Sequence, residues 1–346
     1  MNQSQKTGIQ KEVSLTHLNT LGLHSVAPLF MNITSETQLI ELNEKGFFSE
    51  KRPFVLGGGS NILLSSRLSV PVLKMSIPGM EMIDDDGKNV QIQVGAGENW
   101  HELVSFAVQN GLGGIENLAL IPGTVGAAPI QNIGAYGVEL EGLFLSLKAY
   151  DLKSSSFRTF SKSECQFGYR DSIFKRELKG QMVVTSVTLR LSKKDHIIHD
   201  SYSALRYYLT QNKIQNPGIE EIYQAVINIR QSKLPNPSDI GNAGSFFKNP
   251  VIKQKQYNEL KDNWEGIPGY PNGPGWVKVP AAWLIEKAGW KGLRSGNVGT
   301  YKTQALVIVN HGGATGQEVL EFSKKIQKSV SEQFGIDLIP EVNIVH

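Results

Sequence analysis

The chain has 346 residues, of which 40% are hydrophobic and 19% charged, and its formal net charge is +3. This length exceeds one ordinary domain, and the composition is that of a globular protein rather than a disordered one. The small, dispersed charge argues against a nucleic-acid partner, although a mildly positive protein suits anionic small molecules.

The cysteine and histidine content limits the kinds of site available. Cys165 is the only cysteine, which excludes an internal disulfide and a thiolate-rich metal site. The seven histidines have no metal-ligand spacing, so we expect no metal. The first residues lack the pattern of a signal peptide, and no stretch approaches the roughly 18 apolar residues of a membrane span. We therefore expect a cytoplasmic protein without a membrane partner, and we also expect it to be a monomer.

Helix and strand signals alternate along the first third of the chain. Ser35 and Gln38 have the spacing of a capping box, which predicts a short helix that ends at Gly46. Its apolar residues are Leu39, Ile40 and Leu42. Residues 54–56 form an apolar run that predicts a buried strand.

A helix and a long irregular segment follow. Asn99 and Glu102 resemble a capping box, and the apolar side of the predicted helix is Leu103, Phe106 and Ala107. Residues 111–137 hold too many chain-breaking residues for a regular element, which predicts one long ordered loop or several turns. Residues 144–150 and 182–191 alternate in the manner of half-buried strands.

The second half of the chain carries three helix signals. The first is a stripe of Ile222, Val226 and Ile229 that ends near Lys233. The second is a stripe of Ala281, Leu284, Ile285 and Ala288 that ends at Gly289. In the third, Thr315 and Glu318 form a capping box, and the stripe Val319, Phe322, Ile326 and Val330 ends at Gly335. This intermixing of helices and strands predicts the α+β class.

Residues 55–62 read as a strand, a three-glycine turn and a second apolar run. Gly57, Gly58 and Gly59 let backbone N–H groups converge without Cβ obstruction, and such a nest binds phosphate oxygens. The turn is not a Rossmann fingerprint, because Ile62 stands where the third glycine belongs, and the chain has no P-loop motif. Taken alone, a tight turn between strands explains this motif equally well.

Two further small-residue loops strengthen the prediction of a ligand. Residues 120–129 allow close backbone approach, so this loop and the first glycine turn could close on one dinucleotide from both sides. Residues 241–247 deliver the hydroxyl of Ser245 beside two aromatic residues. A serine turn beside a core pair is the alternative there. Because no G-x-S-x-G motif is present, a hydrolase nucleophile is disfavoured, although a serine on such a loop could donate a proton in a site that excludes water.

Together these motifs resemble the UDP-N-acetylenolpyruvoylglucosamine reductase family, the flavoenzymes of peptidoglycan precursor synthesis. The resemblance extends from Asn19 to Glu341, and its blocks are residues 57–61, 94–100, 121–127, 131–137, 168–172 and 241–250. Tyr202 resembles the tyrosine of a substrate loop found in one form of the family. Members of the family often have glycine where this chain has Ser203, and several residues are inserted before Lys233.

The resemblance implies a fold and a cofactor. The fold is a two-part FAD-binding α+β domain of the vanillyl-alcohol oxidase kind, followed by a substrate-binding α+β domain. The expected boundaries are 1–77, 78–230 and 231–346, with the last residues packing back on the first part. FAD would lie between the first two parts. It should be non-covalent, because the first glycine turn has no histidine to bind it.

The resemblance also implies the site residues. The FAD contacts would be Gly57, Gly58, Gly59, Ser60, Asn61, Pro122, Gly123, Thr124, Gly126, Ala127, Ile130 and Gly134. The catalytic residues would be Ser245 as proton donor, Arg170 beside the substrate carboxylate, and Glu341, which either orients Arg170 or a water or shares a proton. The substrate contacts would be Lys233 and Asn249 at the diphosphate, Tyr202 over it, and Tyr169 and Gln304 at the substrate or nicotinamide.

The implied reaction transfers hydride from NADPH to FAD and then to UDP-N-acetylglucosamine enolpyruvate, which gives UDP-N-acetylmuramate. Two other functions remain open on the residues alone. A flavin oxidase of the same fold would react rapidly with oxygen. A nucleotide-sugar or flavin-binding module would bind its ligand without consuming NADPH.

Overall fold

The computed structural model describes residues 8–48 and 51–346, and the chain divides into two compact units. Unit 1 comprises residues 8–13, 27–48, 51–59 and 69–232, and unit 2 comprises residues 14–26, 60–68 and 233–346. Two short N-terminal segments therefore group with the C-terminal part of the chain. The division into three parts at 1–77, 78–230 and 231–346 stays a prediction.

Strands and helices are intermixed along the described residues, which confirms the α+β class. The strands are β1 (Gln10–Ser14), β2 (Val26–Ile33), β3 (Phe54–Leu56), β4 (Ile62–Leu64), β5 (Val72–Met75), β6 (Met80–Asp85), β7 (Asn89–Gly95), β8 (Gly134–Ala135), β9 (Val138–Glu139), β10 (Phe144–Asp151), β11 (Ser156–Ser161), β12 (Met182–Ser192), β13 (Gly241–Ser245), β14 (Val251–Lys253), β15 (Tyr270–Pro271), β16 (Trp276–Lys278), β17 (Arg294–Ser295), β18 (Val298–Thr300), β19 (Val307–Asn310) and β20 (Asn343–Val345). The α-helices are α1 (Glu36–Glu44), α2 (Trp100–Gln109), α3 (Lys162–Cys165), α4 (Ser203–Gln211), α5 (Ile219–Lys233), α6 (Gln254–Asn263), α7 (Ala281–Lys287) and α8 (Gly316–Phe334).

Unit 1 contains a four-stranded sheet in the order β1-β2-β5-β3 and a five-stranded sheet in the order β11-β10-β12-β7-β6. In the first sheet β2, β5 and β3 pair in parallel, and the second sheet is antiparallel. The expectation that residues 182–191 form a half-buried strand is wrong. Most of β12 is buried, because it is the middle strand of its sheet and packs into the main core of unit 1.

Unit 2 is built on a four-stranded sheet in the order β13-β19-β18-β17 and a three-stranded sheet in the order β14-β16-β15. The C-terminal strand β20 pairs in parallel with β4. The apolar stripe of α8 packs into the core of this unit together with Phe246 and Phe247.

The helices with local start and stop signals form as predicted. α8 has the capping box of Thr315 and Glu318 and ends at Gly335, whose φ is +61°. α1 begins at the predicted box of Ser35 and Gln38, but Ile40 is exposed, so this residue does not belong to the buried side of the helix. In α2 the Asn99 side chain accepts hydrogen bonds from the first-turn amides, as expected of an N-cap residue.

The two segments predicted to be loops are more ordered than expected. Residues 111–137 hold two 3-10 helices, Glu116–Leu118 and Val125–Gln131, and strand β8. The third small-residue loop is partly a strand, because residues 241–245 pair with β19 as β13. The register shifts before Ser245, where Gly244 has φ +68°.

Candidate functional site

The two glycine loops of unit 1 are in close contact with each other. A Cβ atom on Gly58 would lie 2.7 Å from the Cα of Gly123, and one on Gly57 would lie 2.7 Å from Thr124 Oγ1. At Gly58 the facing atom belongs to the backbone, so no larger side chain fits there without moving the opposite loop, and at Gly57 the Thr124 side chain would have to shift. The structure therefore brings together the two segments predicted to bind a dinucleotide.

Backbone hydrogen bonds fix the second loop. The amide of Val125 donates to Glu98 O at 2.9 Å, and the amide of Gly126 donates to Ala96 O at 3.0 Å. Thr124 also forms an isolated bridge with Asn99, the N-cap residue of α2. The loop is thus bound to the end of β7 and the start of α2.

One polar atom at this contact is left for a ligand. Thr124 Oγ1 is buried and has no hydrogen-bond partner among the residues that the structure describes. Orphaned buried hydroxyls are rare in folded proteins, and a bound molecule is one usual explanation. A cradle of small residues with an unused hydroxyl fits a phosphate-bearing cofactor such as FAD, which makes Thr124 a direct candidate contact.

Arg170 lies at the tip of a tight turn in unit 1. Gly168 and Asp171 exchange backbone hydrogen bonds of 3.1 and 3.2 Å, and Arg170 adopts φ +53°. Its guanidinium donates to Gly134 O and lies 3.6 Å from Glu139 Oε1. The predicted catalytic arginine is thereby held against Gly134, one of the predicted FAD contacts.

Other predicted residues surround this turn. The ring of Tyr169 lies 5.3 Å from the guanidinium carbon of Arg170. Ser172 Oγ donates to Ile130 O at 2.6 Å, which connects the turn to the second glycine loop. Tyr202 precedes α4 as its N-cap residue and meets Tyr136 edge-on at 5.3 Å between ring centroids.

Arg230, a half-buried arginine of α5, was not predicted from the sequence. Its Nε is buried without a hydrogen-bond partner among the described residues. Burial lowers the pKa of Arg230, and the nearby positive charge of Arg170 lowers it further.

Lys74, whose ammonium donates to Gly57 O at 2.8 Å, was also not predicted from the sequence. Its signal in the sequence is a cation inside the otherwise apolar strand β5.

In unit 2, backbone hydrogen bonds hold Ser245 in place from two sides. Ser245 pairs with Val307, and the amide of the next residue, Phe246, donates to Leu306 O at 2.8 Å. The carbonyl of Phe246 accepts from the amide of Glu341 at 2.8 Å. The structure therefore places two of the predicted catalytic residues, Ser245 and Glu341, on neighbouring segments.

Asn61 belongs to the same part of unit 2. Its Nδ2 donates to Glu341 O at 3.3 Å, and its carbonyl accepts from the amide of Asn343 at 3.0 Å. Ser60 and Asn61 group with unit 2, whereas Gly57, Gly58 and Gly59 group with unit 1. The first glycine turn is thus the point where the chain passes from one unit to the other.

The predicted substrate contacts of unit 2 lie in two places. Thr303 Oγ1 donates to Lys233 O at 2.9 Å, which places Lys233 beside the segment that carries Gln304. Asn249 Oδ1 accepts the amide of Ala281, the first residue of α7, at 2.9 Å. Part of the hydrogen-bonding capacity of Asn249 therefore caps a helix.

The described residues contain neither a metal-binding cluster nor a membrane-spanning helix. No group of three or more His, Cys, Asp or Glu side chains that could hold a metal was found between residues 8 and 346, with 49 and 50 left aside. None of the helices in that same part of the chain has the length and apolar character needed to cross a membrane.

Comparison with known proteins gives matches over both parts of the chain. Residues 34–151 match the family model described as FAD binding domain, and residues 236–345 match the one described as UDP-N-acetylenolpyruvoylglucosamine reductase, C-terminal domain. The first match contains both glycine loops. These matches confirm the expected fold class, with an FAD-binding part followed by a separate C-terminal domain.

Curated relatives match nearly the whole chain. Identity is 43% over 337 residues with the UDP-N-acetylenolpyruvoylglucosamine reductase of Flavobacterium johnsoniae and 46% over 337 residues with that of Amoebophilus asiaticus, with 97% of this chain and 99% of each relative covered. The crystal structure of UDP-N-acetylenolpyruvylglucosamine reductase (MurB) from Thermus caldophilus is similar, with a TM-score of 0.67 and 25% identity. That match covers 98% of this chain and 100% of the solved chain.

Proposed function

The chain belongs to the UDP-N-acetylenolpyruvoylglucosamine reductase family, and on that premise we propose that it uses NADPH and non-covalent FAD to reduce UDP-N-acetylglucosamine enolpyruvate to UDP-N-acetylmuramate. This is a step of peptidoglycan precursor synthesis. The observation that carries the proposal is the contact of the two glycine loops inside the FAD-binding match, next to the unused hydroxyl of Thr124.

The cofactor would be held by residues of both loops. The backbone amides of the first turn and of the Gly123–Ala127 segment are suited to phosphate oxygens, because glycine and alanine leave them accessible. FAD, when bound, supplies the hydride chemistry, from NADPH to the terminal carbon of the enolpyruvyl double bond. No histidine stands in the first turn, which supports non-covalent binding.

Arg170 is proposed to stabilise the charge that hydride addition creates. A negative charge develops on the carbon beside the substrate carboxylate and spreads into that carboxylate. A planar guanidinium suits such a delocalised anion better than an ammonium does. Its hydrogen bond to Gly134 and its proximity to Glu139 orient the group beforehand, which supports this role.

Ser245 is proposed to protonate the same carbon. Its O–H bond breaks as the new C–H bond forms, and the serine then recovers a proton from solvent. The backbone amide of Glu341 donates to the carbonyl of Phe246, the residue after Ser245, which keeps the glutamate segment beside the serine. Its carboxylate is proposed to orient Arg170 or a water, or to share a proton. Lys233 and Asn249 are assigned to the substrate diphosphate, Tyr202 to the surface above it, and Tyr169 and Gln304 to the substrate or nicotinamide.

The absorbance spectrum of the purified protein tests the flavin proposal first. We expect a yellow protein that loses its colour on denaturation and filtration. NADPH should bleach the flavin band, and the UDP-linked enolpyruvyl substrate should restore it. A colourless protein that also fails to take up added FAD would contradict the proposal. Rapid reoxidation of the flavin by oxygen alone would indicate an oxidase. A flavin spectrum that does not respond to NADPH would indicate a binding module.

A further inference from the structure

Lys74 carries a positive charge in the middle of a buried parallel sheet. It lies on β5, between β2 and β3, and the other residues of that strand are buried. Its ammonium donates to Gly57 O at 2.8 Å and lies 3.5 Å from Met75 O. Burial lowers the pKa of Lys74, and no acidic side chain of the described residues contributes to that shift. The cation is therefore partly desolvated and bound to carbonyl groups only.

The sheet register explains how Lys74 reaches the glycine turn. Lys74 pairs with Leu56, the last residue of β3, and Gly57 is the first residue beyond that strand. The lysine side chain spans this short distance and binds the first carbonyl of the turn. A shorter or apolar residue at this position would leave that carbonyl without its charged donor.

Holding the Gly57 carbonyl also fixes the next amide. In a planar trans peptide the C=O of one residue and the N–H of the next point in opposite directions. The Gly58 N–H is therefore directed away from Lys74, and it donates to no backbone carbonyl of the described residues. An amide turned outward in a glycine nest is the arrangement that binds anions.

We propose that Lys74 is a positioning residue of the phosphate-binding turn, which holds the Gly57 carbonyl so that the Gly58 amide faces the cofactor diphosphate. This inference rests on the proposed binding of FAD. The lysine acts through the peptide group rather than by touching the ligand. Its charge, which has no carboxylate partner among the described residues, adds attraction for the anionic diphosphate.

The test compares FAD binding by apoprotein variants, followed by quenching of flavin fluorescence. Lys74→Met keeps an unbranched side chain as far as Cε but removes the ammonium group, and with it the donor and the charge. We expect the Kd for FAD to rise about 10- to 100-fold, the usual worth of a hydrogen bond to a charged group. Lys74→Arg should restore most of the affinity. The melting temperature of the Lys74→Met apoprotein should stay close to that of the wild type.

Lys148→Met is the matched control. Lys148 is a partly buried lysine of the same unit that pairs with Glu36 at 2.6 Å and does not contact the glycine turn. Its replacement should leave the Kd for FAD within about twofold of the wild type.

Two results would overturn the proposal while the wild type still binds FAD. One is a Lys74→Met protein that binds FAD as tightly as the wild type. The other is an equal loss in the methionine and arginine variants together with a lower melting temperature of both apoproteins, which would indicate a purely structural lysine. If Lys74→Met does not fold, Lys74→Gln takes its place, because it removes the charge and leaves a shorter, neutral side chain; FAD affinity equal to that of the wild type would then contradict the role of the charged donor. Failure of the wild type to bind FAD would instead contradict the proposed function.

Discussion

The strands around Ser245 can hold a single hydroxyl group in a defined position. The residue ends β13, and its successor Phe246 is bound through both its amide and its carbonyl, at 2.8 Å each. Phe246 and Phe247 are almost fully buried, whereas Ser245 is exposed. The backbone is thus fixed by the core while the side chain stays accessible to a ligand. A general acid needs this combination, because proton transfer depends on position first and on pKa second.

Ser245→Ala should separate the two half-reactions. Flavin reduction by NADPH should stay nearly intact, because this step needs no proton from the serine. Reoxidation by the enolpyruvyl substrate should slow by about 10²–10⁴-fold, the usual contribution of a positioned general acid. Stopped-flow absorbance of the flavin measures each step in turn. Ser245→Cys should recover part of the lost rate, since a thiol can donate a proton from nearly the same place.

Two outcomes would contradict this role of Ser245. If the alanine variant is reoxidised at the wild-type rate, Ser245 is not the proton donor. If both steps slow together, the segment around β13 has a structural role instead. The second outcome is informative because the two aromatic residues that follow Ser245 belong to the core of unit 2, which connects this segment to the stability of the unit.

Single residues of the site were predictable only where a motif carried them. Ser245 and Arg170 follow from motif resemblance, because nothing in their local sequence reveals a catalytic role. Lys74 and Arg230 were missed, since burial and the lack of a carboxylate partner among the described residues are properties of the folded chain. In a sequence, such residues can be recognised as a lysine or arginine within an apolar strand or next to the apolar side of a helix.

At the scale of elements, the sequence predicted those helices and strands that are determined by residues close together in the chain. α8 was located correctly because its capping box, stripe and terminal glycine are all local signals. β13 was taken for a loop because its small residues become a strand only by pairing with β19. The burial of β12 likewise depends on strands distant in sequence. Non-local pairing therefore accounts for both errors.

The contact between the glycine loops predicts the effect of one added methyl group. In Gly58→Ala the new Cβ would lie 2.7 Å from the Cα of Gly123, which is backbone and cannot rotate away. The two loops must therefore separate, and overpacking of this kind typically costs about 1–3 kcal/mol. We expect the Kd for FAD to rise at least about tenfold, as measured by flavin fluorescence.

Gly142→Ala provides the matched control for this prediction. Gly142 lies in unit 1, and a Cβ there would meet nothing within 4 Å. Its substitution should leave FAD affinity nearly unchanged. Equal effects of the two substitutions would show that any lost glycine weakens unit 1, and that the loop contact has no special role.

At the scale of the whole molecule, the two units carry separate reporters of unfolding. Cys165, the only cysteine, is fully buried in the core of unit 1. Of the five tryptophans, Trp100 belongs to unit 1, and the others belong to unit 2, namely Trp264, Trp276, Trp283 and Trp290. Thiol labelling therefore follows unit 1, while tryptophan fluorescence follows mainly unit 2.

The thiol of Cys165 should react only when unit 1 opens. Burial raises its pKa to about 12, and the neighbouring charge of Glu164 adds to that shift. The thiolate is the reacting form, so iodoacetamide at neutral pH should modify the folded protein very slowly and the unfolded protein rapidly.

The predicted FAD contacts Gly57–Gly59 and Gly123–Ala127 lie in the same unit as Cys165. A ligand that binds only the folded form stabilises it by mass action. We therefore expect saturating FAD to shift the urea midpoint of Cys165 labelling upward by an amount that grows with FAD concentration. Adenosine at the same concentrations, which lacks the diphosphate, should leave the midpoint unchanged. A labelling midpoint that FAD does not move would show that the cofactor does not bind the folded form of unit 1.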